Sequence, residues 1–530
     1  MLDADTIVIG SGAGGLAAAL ALARAGERVL VLERHTVPGG LCHSFRRGGF
    51  RFSPGIHYVG QLGPGGSLRE IYEGLGVAND LTFYEMNPQG FEHYRIGDET
   101  FDLPAGVDAI VERFSRRFPR QARGIGGYFE LLGLVNREMA LIPETRGFLE
   151  FLTIPYRTRH MGLFGLCSLK TILRYYTSDP LLRTFLSIQC GDHGLPPSRI
   201  PFIMHAPVAG HYTNGACYPA GGGSSIPEAF IAGLQKRGGE IRLSTPVEKI
   251  LIESRGDRRH AIGVRIEGGA ELRASRVISN ASPHVTYERL VGRENLSSRL
   301  KRKLDRTRYS IAAVVLFLAT DLDLASMGMD SGNYWYAPHG DLELIYAGAQ
   351  DPDTVNDPLP SIFFGITTIK DPGSFTKGLH TIEVVRFLTY EAFSAYAGFT
   401  FGNRPREYRA LKEKISTAIM SSLERIIPGI NNHVVFSELS TPLTNDHFVG
   451  STCGACYGTE KTLGQIGPFS FRQFSEIEGL CLCGASTLGH GVAGATTSGL
   501  FLAASILGSR PSELLCAKDQ KLRILSAASQ

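Results

Sequence analysis

The chain begins Asp5-Thr-Ile-Val-Ile-Gly10-Ser-Gly12-Ala-Gly14-Gly15 and runs straight into Leu16-Ala-Ala-Ala-Leu-Ala-Leu-Ala23. The apolar run reads as a strand, the glycines at 10, 12 and 15 fit G-x-G-x-x-G, and the Ala-rich run reads as a helix. Gly10 permits the tight turn out of the strand. Gly12 leaves no side chain between a pyrophosphate and the backbone. Gly15 lets the helix lie close to the sheet. The helix N-terminus then presents unpaired N–H groups and a positive dipole end to the phosphates. Arg28-Val-Leu-Val-Leu-Glu33 reads as the second strand, and its final acid is placed to accept both ribose hydroxyl hydrogens. Glycine-rich turns alone are common. The complete order of strand, glycines, helix, Gly26, strand and acid specifies a dinucleotide site.

Downstream of Glu33 lies Gly39-Gly40, a pair that lets a loop backbone cross close to the cofactor. The run from Glu33 to Gly40 resembles the E-x(6)-G pattern of amine oxidase and phytoene desaturase type flavoproteins, a pattern that NAD enzymes seldom continue. The far end of the chain agrees. Gly479–Gly484 reads as a short buried strand, Ala485–Ala495 as a small-residue loop, and Thr496–Ile506 as a helix. A second helix N-terminus thus approaches the cofactor, where it stabilises negative charge.

The 530 residues carry 54 Lys and Arg against 51 Asp and Glu, a net charge of +3 that gives no case for nucleic acid. Hydrophobic content of 43% and charged content of 20% are ordinary for a globular enzyme of two or three domains. The first strand starts near residue 5, so no signal peptide is expected, and no run reaches the roughly 20 apolar residues of a bilayer span. Nine scattered cysteines point to a reducing, cytoplasmic setting. Cys453-Gly-Ala-Cys456 and Cys481-x-Cys483 lack the spacing of a zinc site, and none is expected.

The cofactor unit is interrupted. Residues 1–85, 216–290 and 436–515 are assigned to it, 86–215 and 291–435 to a substrate unit, and 516–530 to a C-terminal tail. Ala229–Arg237 reads as a helix stopped by Gly238-Gly239, with strands at Glu240, Val247–Glu253, Ala261–Ile266 and Arg276–Ala281. Further strands are read at Ile311–Leu318 and Ser361–Ile366, and a helix from Glu407 to Ile427.

Nearly the whole chain resembles the carotenoid isomerase and retinol saturase branch of the phytoene desaturase-like flavoproteins. The matching stretches include Val8–Leu16, Leu30–Glu33, Pro38–Phe45, Phe52–Gly60, Tyr218-Pro-Ala-Gly-Gly, Lys370-Asp-Pro372, Thr441-Pro-Leu-Thr444, Gly454–Gly458 and Cys483–Gly491. Segments 52–60 and 454–458 are most similar to retinol saturases, and the terminal loop to carotenoid isomerases. The resemblance implies an α/β fold: an interrupted Rossmann-type, amine oxidase-like FAD-binding domain with an interwoven α+β substrate domain. It implies FAD held by Gly10, Gly12, Ala13, Gly14, Gly15, Glu33, Arg34, Gly39, Gly40, Leu41, Val247, Gly484, Ser486, Val492 and Ala493. Val247 bonds the adenine through its backbone, and the 484–493 loop lies along the ribityl chain and the pyrimidine edge. Two departures stand out. Leu41 occupies the place where many amine oxidases carry Arg, and Gly484-Ala485-Ser486 replaces an acid that relatives often have.

The resemblance also implies an apolar polyene substrate, a retinoid or carotenoid, whose C=C bonds are saturated or isomerised. The rivals are a carotenoid desaturase or amine oxidase-like flavin oxidase, and a non-catalytic flavin-containing lipid carrier. His57 is the first candidate for a catalytic acid, with Tyr58 and Tyr457 behind it; His490 is expected against the cofactor. No second nucleotide fingerprint supplies NAD(P)H, so an external electron donor or acceptor is expected. From Phe151 to Tyr176 apolar residues alternate with Arg157, Arg159, Lys170 and Arg174, a pattern suited to peripheral membrane contact or to a core helix pair with snorkelling cations. Removing the Leu163 and Phe164 side chains is the corresponding test.

Overall fold

The computed structural model describes residues 2–145, 148–375, 378–517 and 519–526, without the side chains of 148–151. The opening strand, Ala4–Ile9, lies between two parallel neighbours, Val29–Leu32 and Glu271–Ser279. Glu240–Arg242 extends the sheet beyond Val29–Leu32, and Leu480–Leu482 adds a parallel strand beside Glu271–Ser279. Val247–Arg255 and Arg258–Ile266 continue it as an antiparallel flap. Every residue of Val29–Leu32 is buried, because both faces of a parallel sheet are covered by other elements.

Helix Ala13–Arg24 covers one face, and its Gly14–Ala23 stretch is wholly buried. The closing helix, Gly491–Leu507, crosses it at backbone contact. A Cβ on Gly499 would stand 2.0 Å from the Gly14 carbonyl oxygen and 2.9 Å from Ala18 N. This helix starts five residues before the expected Thr496. Gly491 enters at φ +70°, and the would-be Cβ of Gly494 lies 3.0 Å from Gly489 Cα, so small side chains allow an extra first turn where a loop was expected.

A second seven-stranded sheet runs in the order Val434–Ser440, Ala313–Thr320, His380–Phe387, Ile362–Ile366, Asn333–Ala337, Glu92–Ile96, Glu99–Leu103. The boundary expected at 436 falls inside the first of these strands, which pairs with Ala313–Thr320. The chain therefore returns to the first sheet only at Leu480. Helices Ala122–Leu141, Leu169–Tyr176, Pro180–Ser187 and Phe202–Tyr212 pack beside this sheet over a core that includes Phe114, Tyr128, Phe185 and Phe202. The 516–530 segment is not a free tail. Arg523–Ser526 pairs in parallel with Thr82–Glu85, while 518 and 527–530 lie outside the described residues.

Candidate active site

Two clefts meet between the sheets. The first encloses about 1700 Å³ counted to its open mouth, and it runs along the C-terminal ends of the opening strands. Gly10, Gly12, Ala13, Gly14, Glu33, Arg34, Gly39, Gly40, Leu41, Val247, Gly484, Ser486 and Val492 all line it. Gly15 and Ala493 stand off it. A Cβ on Gly15 would meet Gly10 O at 2.3 Å and Val8 Cγ1 at 3.3 Å, so this glycine serves helix packing. Val492 and Ala495 share the cleft-facing side of the closing helix, whereas Ala493 packs into the core.

The Glu33 carboxylate ties the glycine turn together. Oε2 accepts from Ser11 N at 2.9 Å and Ser11 Oγ at 2.7 Å, and Oε1 accepts from His35 N at 2.9 Å. A carboxylate has about four acceptor sites, so three are spent on protein and one remains for a ribose hydroxyl, against the two expected. Arg34 reaches across to donate to the carbonyls of Asp446 and His447.

Asn280, which the sequence did not single out, fills the elbow. Its side-chain amide lies 2.6 Å from the Cβ that Gly12 lacks and 2.8 Å from that of Gly14, and it borders the cleft. It follows the Glu271–Ser279 strand, whose parallel pairing with Ala4–Ile9 brings it there. His490 does not line the cleft. Its Nε2 lies 2.8 Å from the Asp192 carbonyl oxygen, and burial pulls its pKa down to about 3, which keeps the ring neutral.

The second cleft encloses about 1100 Å³ counted to its mouth and is walled mostly by apolar groups, among them Ile188, Val315, Trp335, Tyr346, Phe363 and Phe387. Leu41, Gly55, Cys456 and Tyr457 belong to both clefts and form the partition between them. His57 and Tyr58 lie on the second wall. The His57 Nδ1 is 3.2 Å from Glu383 Oε2, and Glu383 Oε1 accepts from Ser53 N at 2.6 Å. Tyr58 stacks on Tyr212 with centroids 4.1 Å apart.

Polar groups are few here and deeply placed. Tyr58 donates its hydroxyl to Asp192 Oδ2 at 2.8 Å, and Trp335 Nε1 donates to Glu92 Oε2 at 2.5 Å. Burial pushes the Asp192 carboxyl up to about 7 and the Glu92 carboxyl up to about 8. Lys370 donates to the His57 carbonyl oxygen at 3.0 Å and to Asn333, and burial lowers it to about 8. Among the described residues no group of His, Cys, Asp and Glu is arranged to hold a metal ion.

An elongated cleft along a glycine elbow, opening into an apolar chamber, defines a dinucleotide-cofactor oxidoreductase with an oily substrate site. The family described as flavin containing amine oxidoreductase matches residues 13–326. The chain is 30% identical over 539 residues to an all-trans-retinol 13,14-reductase of Homo sapiens, covering 95% of this chain and 85% of that protein. It is 27% identical over 515 residues to a chloroplastic prolycopene isomerase of Arabidopsis thaliana, covering 94% and 82% respectively. The solved structure of an oxidoreductase from Methanosarcina mazei shares the fold, with a TM-score of 0.61 at 19% identity over 95% of this chain and 100% of that one. The protein belongs to the flavin containing amine oxidoreductase family, within the branch of the retinol saturases and carotenoid isomerases. It is a flavoprotein oxidoreductase with FAD as its cofactor, and the glycine elbow, the Glu33 acceptor and the two helix N-termini fit that group.

Proposed function

We propose that this enzyme acts on C=C bonds of an apolar polyene, a retinoid or carotenoid, and saturates or isomerises them. The junction of the two clefts at Leu41, Gly55, Cys456 and Tyr457 carries the reading, because it sets an apolar chamber directly against the cofactor groove. The names of the relatives support the substrate class. FAD, when bound, supplies hydride chemistry. The glycines that line the groove, with Glu33, Arg34, Val247, Ser486 and Val492, would hold it. The N–H groups at the start of Gly491–Leu507 face the cleft and favour negative charge there. The aromatic wall of Tyr58, Trp335, Phe363 and Tyr457 grips a conjugated chain and excludes water. His57 stands on that wall as a positioned polar group. Electrons come from, or pass to, a partner outside the chain.

An amine oxidase-like reading is weaker here. The chamber is walled mostly by apolar groups, which suit an uncharged polyene better than an ammonium.

The structure contains no described helix long and apolar enough to cross a membrane. Peripheral contact is the reading favoured by Tyr156, Leu163, Leu166 and Tyr175, which are 74%, 70%, 63% and 76% exposed beside Arg157, Arg159 and Arg174. Lys170 reaches Glu343 at 3.3 Å, and Glu343 sits on the helix whose Leu342, Ile345 and Tyr346 line the apolar chamber. That link sets the apolar surface beside the chamber, so an oily substrate is delivered from a bilayer. Phe164, paired with Leu163 in the sequence reading, packs instead against the core.

The test is an anaerobic absorbance titration of FAD-loaded protein with retinol and with a C40 carotene, run oxidised and dithionite-reduced, followed by product analysis. Reoxidised flavin with a product two hydrogens heavier supports saturation. An equal-mass product with the flavin still reduced supports isomerisation. Bleaching of oxidised flavin supports a desaturase or oxidase, and binding without product in either state supports a carrier.

A further inference from the structure

We infer that Asp192, hydrogen-bonded by Tyr58, is the carboxylic acid that delivers the proton when the polyene is saturated; this rests on the polyene reading above. The loop that carries Asp192 is pressed into place by glycines on either side. A Cβ on Gly191 would strike the Trp335 ring at 2.3 Å, and one on Gly194 would strike Ile311 at 2.3 Å. The loop is also pinned from the partition side. Tyr457 donates to the Gly191 carbonyl at 2.9 Å, and His490 contacts the Asp192 carbonyl at 2.8 Å. Tyr457 borders both clefts, so the acid stands next to the place where cofactor and substrate meet. Asp192 lines the chamber, and among the described residues its one side-chain hydrogen bond comes from Tyr58. His57 is less suited, because its ring faces the buried Glu383 carboxylate at 3.2 Å.

The step balances. Reduced FAD, when bound, would supply a hydride to one carbon of the double bond. The π pair on the other carbon takes the Asp192 proton, and the Asp192 O–H bond breaks to leave a carboxylate. The polyene gains two hydrogens, FAD is left oxidised, and solvent returns the proton to Asp192. An external two-electron donor, dithionite in the assay, reduces FAD beforehand.

The groups facing Asp192 are Tyr58 and Tyr212 on one side, Glu92 and Tyr94 from the strand Glu92–Ile96, Tyr346 and Tyr457 from the chamber wall, the neighbouring buried Cys190, and the neutral His490 behind. Burial opposes its ionisation, whereas the Tyr58 hydrogen bond favours it. Loss of that bond therefore raises the pH at which the acid is spent.

The experiment follows flavin reoxidation in single turnovers of dithionite-reduced protein with retinol, from pH 5 to 9, in H2O and D2O. It compares wild type, Asp192→Asn, Asp192→Glu, Tyr58→Phe and His57→Gln. Infrared spectra of the oxidised, ligand-free protein follow the protonated carboxyl band. Asp192→Asn slows reoxidation ~10²–10⁴-fold, the usual range for a positioned acid, with FAD content and retinol binding retained. Asp192→Glu restores part of the rate. The wild-type rate falls above about pH 7, and Tyr58→Phe moves that limb upward. The Asp192 component of the infrared band disappears in Asp192→Asn, while the component from the buried Glu92 carboxyl stays. Wild-type turnover matched by Asp192→Asn, or abolished only in His57→Gln, overturns the assignment alone. A wild type that no polyene reoxidises, or whose product has unchanged mass, overturns the saturation reading and the donor role with it, while the Asp192 component of the infrared band still reports whether Asp192 is held protonated.

Discussion

The dinucleotide elbow was legible residue by residue because its contacts are local. Gly10, Gly12 and Gly15 sit where a turn, a close approach and tight helix-on-strand packing need them, and each role follows from the missing side chain. Asn280 and Asp192 were not legible. Asn280 reaches the elbow only through a strand pairing that spans the chain, and Asp192 reaches the chamber through a loop between two glycines. Glu33 shows the limit from the other side, since its partner Ser11 lies inside the motif yet uses up acceptor sites meant for ribose. Glu33→Gln replaces charge-assisted bonds to Ser11 and His35 with neutral ones. It should cost ~1–3 kcal/mol in the elbow and weaken FAD binding ~10-fold or more, read by FAD titration of the apoprotein. Asp192 makes a second prediction, on stability. Its folded pKa of about 7 lies above the ordinary aspartate value of 3.8, so the folded state holds a proton that the unfolded state has lost between those values. The stability it contributes is complete below about pH 4 and is lost as pH rises to about 7. In melting curves Asp192→Asn should flatten that slope and give its largest gain in Tm near pH 8; an unchanged slope refutes it.

At the scale of elements, periodicity placed the main strands and helices of the cofactor unit but few of the helices elsewhere, and it misjudged what small residues permit. The closing helix was read from Thr496 because Ala485–Ala495 is rich in glycine and alanine, a loop composition. In the fold the same small residues bring Gly494 against Gly489 and Gly499 against Gly14, so packing, not propensity, sets the start of the helix. The unit boundary at 436 fell inside the unread strand Val434–Ser440 for a related reason. Its residues alternate between half-buried and exposed, and no local signal tells which of two sheets an amphipathic strand joins. Gly499→Ala tests the crossing. The new Cβ meets the backbone at Gly14 and Ala18, which no side-chain rotation relieves, so the helices must part. A loss of ~1–3 kcal/mol in unfolding free energy is expected, with lower FAD occupancy, because the same helix presents Val492 and its N-terminus to the cleft. Gly162→Ala, on the exposed side of helix Arg159–Phe164 with open space around the added methyl, is the control that keeps both values near wild type.

For the whole molecule, two sheets woven from one chain put the cofactor groove and the apolar chamber back to back. The exposed helices that follow residue 148 lie beside the chamber's outer wall. Composition alone revealed the cationic, acid-free stretch there, but only the fold separates Leu163, which faces out, from Phe164, which faces in. That distinction changes the experiment. The triple variant Tyr156→Ser, Leu163→Ser, Leu166→Ser removes exposed apolar surface without opening the core, so Tm should stay within about a degree or two of wild type. Each large side chain is worth ~1.5–3 kcal/mol when fully buried in an apolar phase, and even partial insertion of three gives a drop of ~10-fold or more in binding to anionic phosphatidylserine vesicles. Turnover of retinol delivered from cyclodextrin should persist, while turnover of retinol held in the vesicles should fall in step with binding. Vesicle binding equal to wild type would show that this face does not meet lipid and that the substrate reaches the chamber by another route.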